Sequence, residues 1–173
     1  DPGGTRFSPL DQINTGNVKN LRVAWIYHTG EVHPGTPGTA GHNVTAFEST
    51  PLVVGEILYL TTASSRVIAL NAETGKEIWQ FDPQRGAKHR RSAANRGVAY
   101  WNARVVYGTA DGRLIELDSK TGKPCQDFGD NGVVNLRTGV ADAWPDKPYY
   151  LSSPPAIYRN LVITGSSLQE DPS

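Results

Sequence analysis

The chain has 173 residues, with 17 Lys+Arg against 17 Asp+Glu, and 38% of it is hydrophobic. That balance leaves no net field to draw it toward nucleic acid or an anionic membrane, while the apolar fraction is enough for a packed core. No run of about 18 apolar residues is present to span a bilayer, the N-terminus shows no leader pattern, and the single cysteine, Cys125, excludes an internal disulfide, a thiolate zinc site and a CxxC redox pair.

Glycine (18) and proline (12) are abundant, and short apolar runs recur between turn signals, the pattern of an all-β array with no helical period. In chain order, Leu21 to His28 reads as a strand. Pro51 to Val54 and Ile57 to Thr61 flank Gly55-Glu56, a hairpin signature. Val67 to Leu70 and Glu77 to Phe81 flank the connection NAETGK. Gly97 to Trp101, Val105 to Gly108 and Leu114 to Leu117 continue the series, with Asp111-Gly112 as a further turn. Pro155 to Tyr158 and Leu161 to Gly165 surround Arg159-Asn160. Three irregular stretches, 31–44, 82–94 and 125–148, follow strand ends, where such arrays build their sites.

An internal repeat sets the architecture. VIALNAETGKEIW at 67–79 aligns with LIELDSKTGKPCQ at 114–126, so that Leu70, Thr74, Gly75 and Lys76 recur 47 residues on as Leu117, Thr121, Gly122 and Lys123. A period near 40–50 residues, with an apolar hairpin before each copy, predicts four-stranded antiparallel blades of a β-propeller. The expected division is a single partial propeller: a closing strand segment over 1–30, blades over 44–82 and 95–128, and the start of another over 149–173. Trp79 is placed to lie flat between neighbouring blades; in the second copy Gln126 takes its position, so that contact is expected to be weakened or replaced.

The segments DPGGTRFSPLDQIN, NVKNLRVAWIYHTGE, AFESTPLVVGEILYLTT, NRGVAYW and SSPPAIYRNLVITGSS occur in an order that resembles the N-terminal part of the pyrroloquinoline-quinone (PQQ) dehydrogenases, the quinoprotein alcohol and glucose enzymes. The resemblance covers almost the whole chain. It implies roughly the first quarter to third of an eight-bladed propeller with PQQ and calcium in its central funnel. It also implies a small-molecule alcohol or sugar substrate, a quinone or cytochrome electron acceptor, and a periplasmic location.

Carried over residue by residue, the resemblance assigns Glu48 in FESTPLVV to a quinone contact, either by hydrogen bonding to the cofactor or by setting the local charge. It assigns Arg96 in NRGVAYW to the ortho-quinone oxygens, where a fixed guanidinium fork suits the negative charge of the reduced ring. Ser152, or Ser153 if the register slips by one, corresponds to the hydroxyl that binds a PQQ carboxylate, and Ser166 and Ser167 to the polar cofactor edge. Glu170 stands at the spacing of a calcium ligand, although Leu168-Gln169 replace the usual Gly-Ala before it. The alcohol-oxidising members carry adjacent cysteines six and five residues before the arginine; here Arg90 and Arg91 occupy those positions, which points to a glucose- or polyol-oxidising relative and leaves His89 as one candidate to stack on the quinone.

The catalytic aspartate of the family lies in later blades, so no catalytic residue is assigned here, and the isolated segment is expected to be inactive. The other reading is a non-catalytic PQQ-like propeller acting as a protein-interaction scaffold, which has no reason to keep the glutamate, the NRG arginine and the SSPP serine together. Exposed blade edges make self-association a further expectation. His28, His33, His42 and His89 show no metal-ligand spacing, and phosphate-loop and HExxH patterns are absent.

Overall fold

A computed structural model describes residues 9–31, 47–87, 91–140, 142–144 and 147–168. The described chain is all-β apart from one 3-10 turn at Val18–Asn20. The first sheet is an antiparallel meander of β1 (Leu52–Val54), β2 (Ile57–Thr61), β3 (Val67–Asn71) and β4 (Glu77–Phe81). The second repeats it with β5 (Ala99–Trp101), β6 (Arg104–Gly108), β7 (Arg113–Asp118) and β8 (Val133–Asn135). A third unit begins with β9 (Tyr149–Tyr150), the hairpin β10 (Ala156–Tyr158) and β11 (Leu161–Ile163), and β12 (Ser167–Leu168), which pairs back onto β9.

The middle strands are apolar on both faces because each sheet is covered on both sides. Tyr59, Val67, Ala69 and Trp79 of the first sheet form one core with Val105, Tyr107, Ile115 and Leu117 of the second. The opposite face of the first sheet, Leu60, Ile68 and Leu70, is covered by Trp25 and Tyr27 of the N-terminal segment. This stacking explains why those strands read as continuous apolar runs rather than alternating ones.

The repeated turn is built twice from the same bonds. Asn71 Oδ1 accepts from the backbone N–H and hydroxyl of Thr74, and Asp118 Oδ1 accepts from those of Thr121, each at 2.8 Å. The glycine that follows is at positive φ in both copies, +69° at Gly75 and +68° at Gly122. Trp79 lies flat on Gly122: a Cβ there would sit 2.5 Å from its ring, and its indole N–H donates to Ser119 O at 3.0 Å. Trp25 does the same to the first blade, its ring 2.5 Å from a Cβ built on Gly75 and its N–H donating to Ala72 O at 3.1 Å. One device therefore joins the N-terminal segment to the first blade and the first blade to the second.

Two expectations need correction. Leu21 to His28 alternates like a strand only from Trp25 on, with Trp25 and Tyr27 turned inward and Ile26 and His28 exposed, and it has no strand pairing among the described residues. It contacts the blade through side chains instead of a backbone ladder. The second blade does not end at 128 either. Pro124 bridges Leu117, residues 125–132 loop out, and the ladder resumes at Val133 opposite Ile115, so the blade runs to Asn135. Arg104 holds the loop by pairing with Glu116 and Asp127, and Gln126, where a tryptophan stood in the first copy, is exposed within it.

The docking contact predicts large costs for two substitutions. Trp79→Ala should lower stability by about 3–5 kcal/mol, the range for deleting a buried aromatic side chain. Gly122→Ala should also destabilise, because the new methyl meets the indole. Urea denaturation of both variants measures this, and a loss well under 1 kcal/mol for either would contradict the packing described.

Candidate functional site

The site is assembled where the chain enters successive blades. Glu48 precedes β1, Arg96 precedes β5 and Ser152 follows β9 on the way to the β10–β11 hairpin. Their main chains are laced together: Thr50 N–H donates to Arg96 O at 3.0 Å, and Arg96 N–H donates to Ser152 O at 2.8 Å. Each residue of Asn-Arg-Gly has a distinct part in this. Asn95 is buried, its amide donating to Gly108 O at 2.9 Å and its Oδ1 accepting from Gly97 N–H at 3.2 Å. Gly97, at φ +128°, allows the close approach of the neighbouring strand entry, since a Cβ there would meet Thr50 O at 2.8 Å. Between two fixed residues, the Arg96 side chain projects into an open cleft.

Arg96 Nη2 pairs with Glu48 Oε2 at 2.8 Å, with 47% and 39% of the two side chains exposed. Of the two roles open to Glu48, this pair supports the second, that of setting the charge around the guanidinium. Ser152 Oγ lies 3.3 Å from Ser167 Oγ, which β12 delivers through its pairing with Tyr150. The cleft has a volume of about 480 Å³, and its wall includes Arg91, Arg96, Tyr149, Tyr150, Ser152 and Ser167.

Thus four of the expected residues come together, with Glu48 held at the cleft through Arg96. Ser153 and Ser166 are exposed and do not line the cleft. Glu170, His89, Arg90, His33 and His42 lie outside the described residues. Among the described residues no cluster of three His, Cys, Asp or Glu side chains is placed to hold a metal ion.

Sequence reasoning missed the supports of the wall. Gln84, buried before the second blade, clamps Arg91: its Oε1 accepts from Arg91 N–H at 2.5 Å and its amide donates to Arg91 O at 2.7 Å. The same amide donates to Ser64 O at 2.8 Å, and Ser64 N–H donates to Glu31 Oε1 at 2.8 Å. Glu31 also pairs with Arg66 at 2.7 Å. Burial pushes the Glu31 carboxyl up, but the bonds it accepts from Ser64, Arg66 and Thr62 outweigh that and hold it below its ordinary 4.5. On the second blade, burial likewise raises Asp111, and Arg113 and Thr109 more than reverse it; Arg113 then reaches Pro83 O at 3.1 Å, tying that turn to the same wall. A polar residue in a loop, such as Gln84, carries no periodic signal that would have marked it.

Comparison with known proteins gives the family and the fold. The whole chain, residues 1–173, matches the family described as "PQQ: Glucose/ethanol/alcohol dehydrogenase, beta-propeller domain". It is 37% identical to the quinoprotein glucose dehydrogenase of Escherichia coli K12, over 97% of this chain and 22% of that protein. The crystal structure of the quinohemoprotein alcohol dehydrogenase from Comamonas testosteroni superposes with a TM-score of 0.70 at 34% identity, covering 94% of this chain and 22% of that one. A europium-containing methanol dehydrogenase superposes at 0.67 with 31% identity, covering 92% and 25%. The chain belongs to the PQQ-dependent dehydrogenase propeller family. It spans about a fifth of the length of these relatives, and both glucose- and alcohol-oxidising members are among them.

The support of the wall by Glu31 gives a pH prediction. A carboxyl depressed in the folded state contributes stability that is present above its unfolded value and is lost as pH falls through the folded one. The stability difference between wild type and Glu31→Gln should therefore hold from neutrality down to 4.5 and shrink below it. Denaturant midpoints across that range measure it, and a difference that widens on acidification would contradict the assignment.

Proposed function

We propose that this chain forms one wall of the cofactor cleft in a PQQ-dependent dehydrogenase that oxidises an alcohol, polyol or sugar. The observation that carries the reading is the Arg96–Glu48 pair standing beside Ser152 and Ser167 in one cleft. PQQ is a flat ortho-quinone bearing carboxylates, so it calls for a guanidinium at the quinone oxygens and hydroxyl donors at its acidic edge. The residues present fit both needs.

When bound, PQQ supplies a two-electron sink for hydride from the alcohol carbon. The residues of this chain bind and orient. Arg96, anchored by its own peptide on both sides, offers fixed N–H donors where negative charge grows on reduction, so little reorganisation is needed. Glu48 balances that guanidinium before the ligand enters. Ser152 and Ser167 donate to a carboxylate and fix the ligand's rotation in the cleft. The proton acceptor for the substrate hydroxyl comes from elsewhere in the protein.

Several finer features belong to the same proposal. A glucose or polyol substrate is favoured over methanol, because Arg90 and Arg91 occupy the cysteine positions and Cys125 has no partner cysteine in this sequence. Calcium is the proposed metal, with Glu170 as the ligand this chain contributes; the europium in a related structure supports a hard-cation site in the family. A quinone or a cytochrome is the proposed electron acceptor, and the periplasm the proposed compartment. Tyr158, Leu161 and Ile163, each more than half exposed, form the apolar surface through which this segment packs against a further blade or a second copy.

Titrating the full-length gene product with PQQ, followed by quinone absorbance, tests the proposal. Arg96→Ala should weaken binding about 10- to 100-fold, as expected for a lost charge-assisted contact. Ser152→Ala, which removes one neutral donor, should weaken it by roughly 3- to 10-fold. Saturable binding that ignores both substitutions, or no binding at all, would defeat the reading.

A further inference from the structure

The charge in the cleft is unevenly distributed. Arg96 is balanced by Glu48 at 2.8 Å, so that pair adds little net field. Arg91 stands on the same wall, and among the described residues its guanidinium takes part in no ion pair and no hydrogen bond. None of the described residues lining the cleft is acidic. Among the described residues, the positive charge left unbalanced for an entering anion is therefore that of Arg91.

The placement of Arg91 is also built rather than incidental. Its peptide is held on both sides by the buried Gln84 amide, through the bonds at 2.5 and 2.7 Å. Next along the wall, Ala93 N–H donates to Ala63 O at 3.0 Å. A long surface arginine on a free loop spends its entropy in many directions; one with a clamped backbone reaches a restricted volume, here the cleft.

We propose that Arg91 is an affinity-determining contact for the cofactor, pairing with an anionic group of PQQ and adding a charge that no described acidic residue of the cleft offsets. The inference rests on the reading that this cleft takes PQQ. It gives the position a role of its own. Because the guanidinium is exposed, its contribution is screened by salt, with a Debye length near 10 Å at 0.1 M falling to about 3 Å at 1 M.

The experiment uses the full-length gene product containing this chain. PQQ dissociation constants are measured by absorbance titration for wild type, Arg91→Gln, Arg91→Lys and Arg85→Gln, at about 0.05 M and 1 M salt. Arg85 is an exposed arginine of the same loop that does not line the cleft, so it controls for general surface charge. The expected result is a loss of about 5- to 10-fold for Arg91→Gln at low salt, collapsing at high salt, with partial recovery in Arg91→Lys and no change for Arg85→Gln. Wild-type binding that Arg91→Gln leaves unchanged at low salt, or an equal loss in Arg85→Gln, overturns the role of Arg91 while the cofactor reading stands. Absence of PQQ binding by the wild type overturns both.

Discussion

The site depends on a single peptide. Arg96 donates its N–H to Ser152 and receives the N–H of Thr50 on its carbonyl, so three blade entries that are far apart in sequence are stitched edge to edge. Glu48, Arg96 and Ser152 converge because they lie on or beside those two bonds. The side-chain pair between Glu48 and Arg96 is half-exposed and adds little to stability. What it needs is a backbone that puts the two residues in reach, and the lacing of the strand entries supplies that. Gly97 is the enabling residue, since any side chain there would push Thr50 away.

The lacing holds only if the blades keep a constant spacing, which is set at the opposite ends of the strands. There Trp25 and Trp79 each rest on a glycine of the following turn and donate to a backbone carbonyl of it, Ala72 or Ser119. Ser119 O also receives the Tyr59 hydroxyl at 3.0 Å, so a buried carbonyl has both its lone pairs used. A glycine is required twice over in these turns, by its positive φ and by the indole lying on it. The two ends thus have separate tasks: tryptophan docking fixes the wedge, and the blade entries display the chemistry.

Much of this was legible in the sequence because it is local. The turn chemistry of NAETGK and DSKTGK lies within six residues, and the hairpins on either side announce themselves by apolar runs. What escaped was set at long range. Trp25 performs the same task as Trp79, but no Thr-Gly-Lys turn precedes it, so the repeat did not include it. The fourth strand of the second blade begins at Val133 because a loop secured by Arg104 interrupts it, and that loop's return depends on partners in other strands. In the site, the motif order pointed to Glu48, Arg96 and Ser152, whereas the β9–β12 pairing that brings Ser167 beside Ser152 is a long-range contact. Arg91 was visible only as a missing cysteine; its clamp by Gln84 is a tertiary fact.

The central claim is that the laced strand entries form one wall of a quinone cleft. The most direct measurement is a crystal structure of the full-length gene product with PQQ bound. The account predicts the quinone oxygens within hydrogen-bond distance of the Arg96 guanidinium and a cofactor carboxylate at the Ser152 hydroxyl, with the Thr50–Arg96–Ser152 backbone bonds intact. Density for the cofactor elsewhere in the protein, or in this cleft with Arg96 turned away to solvent, would contradict it.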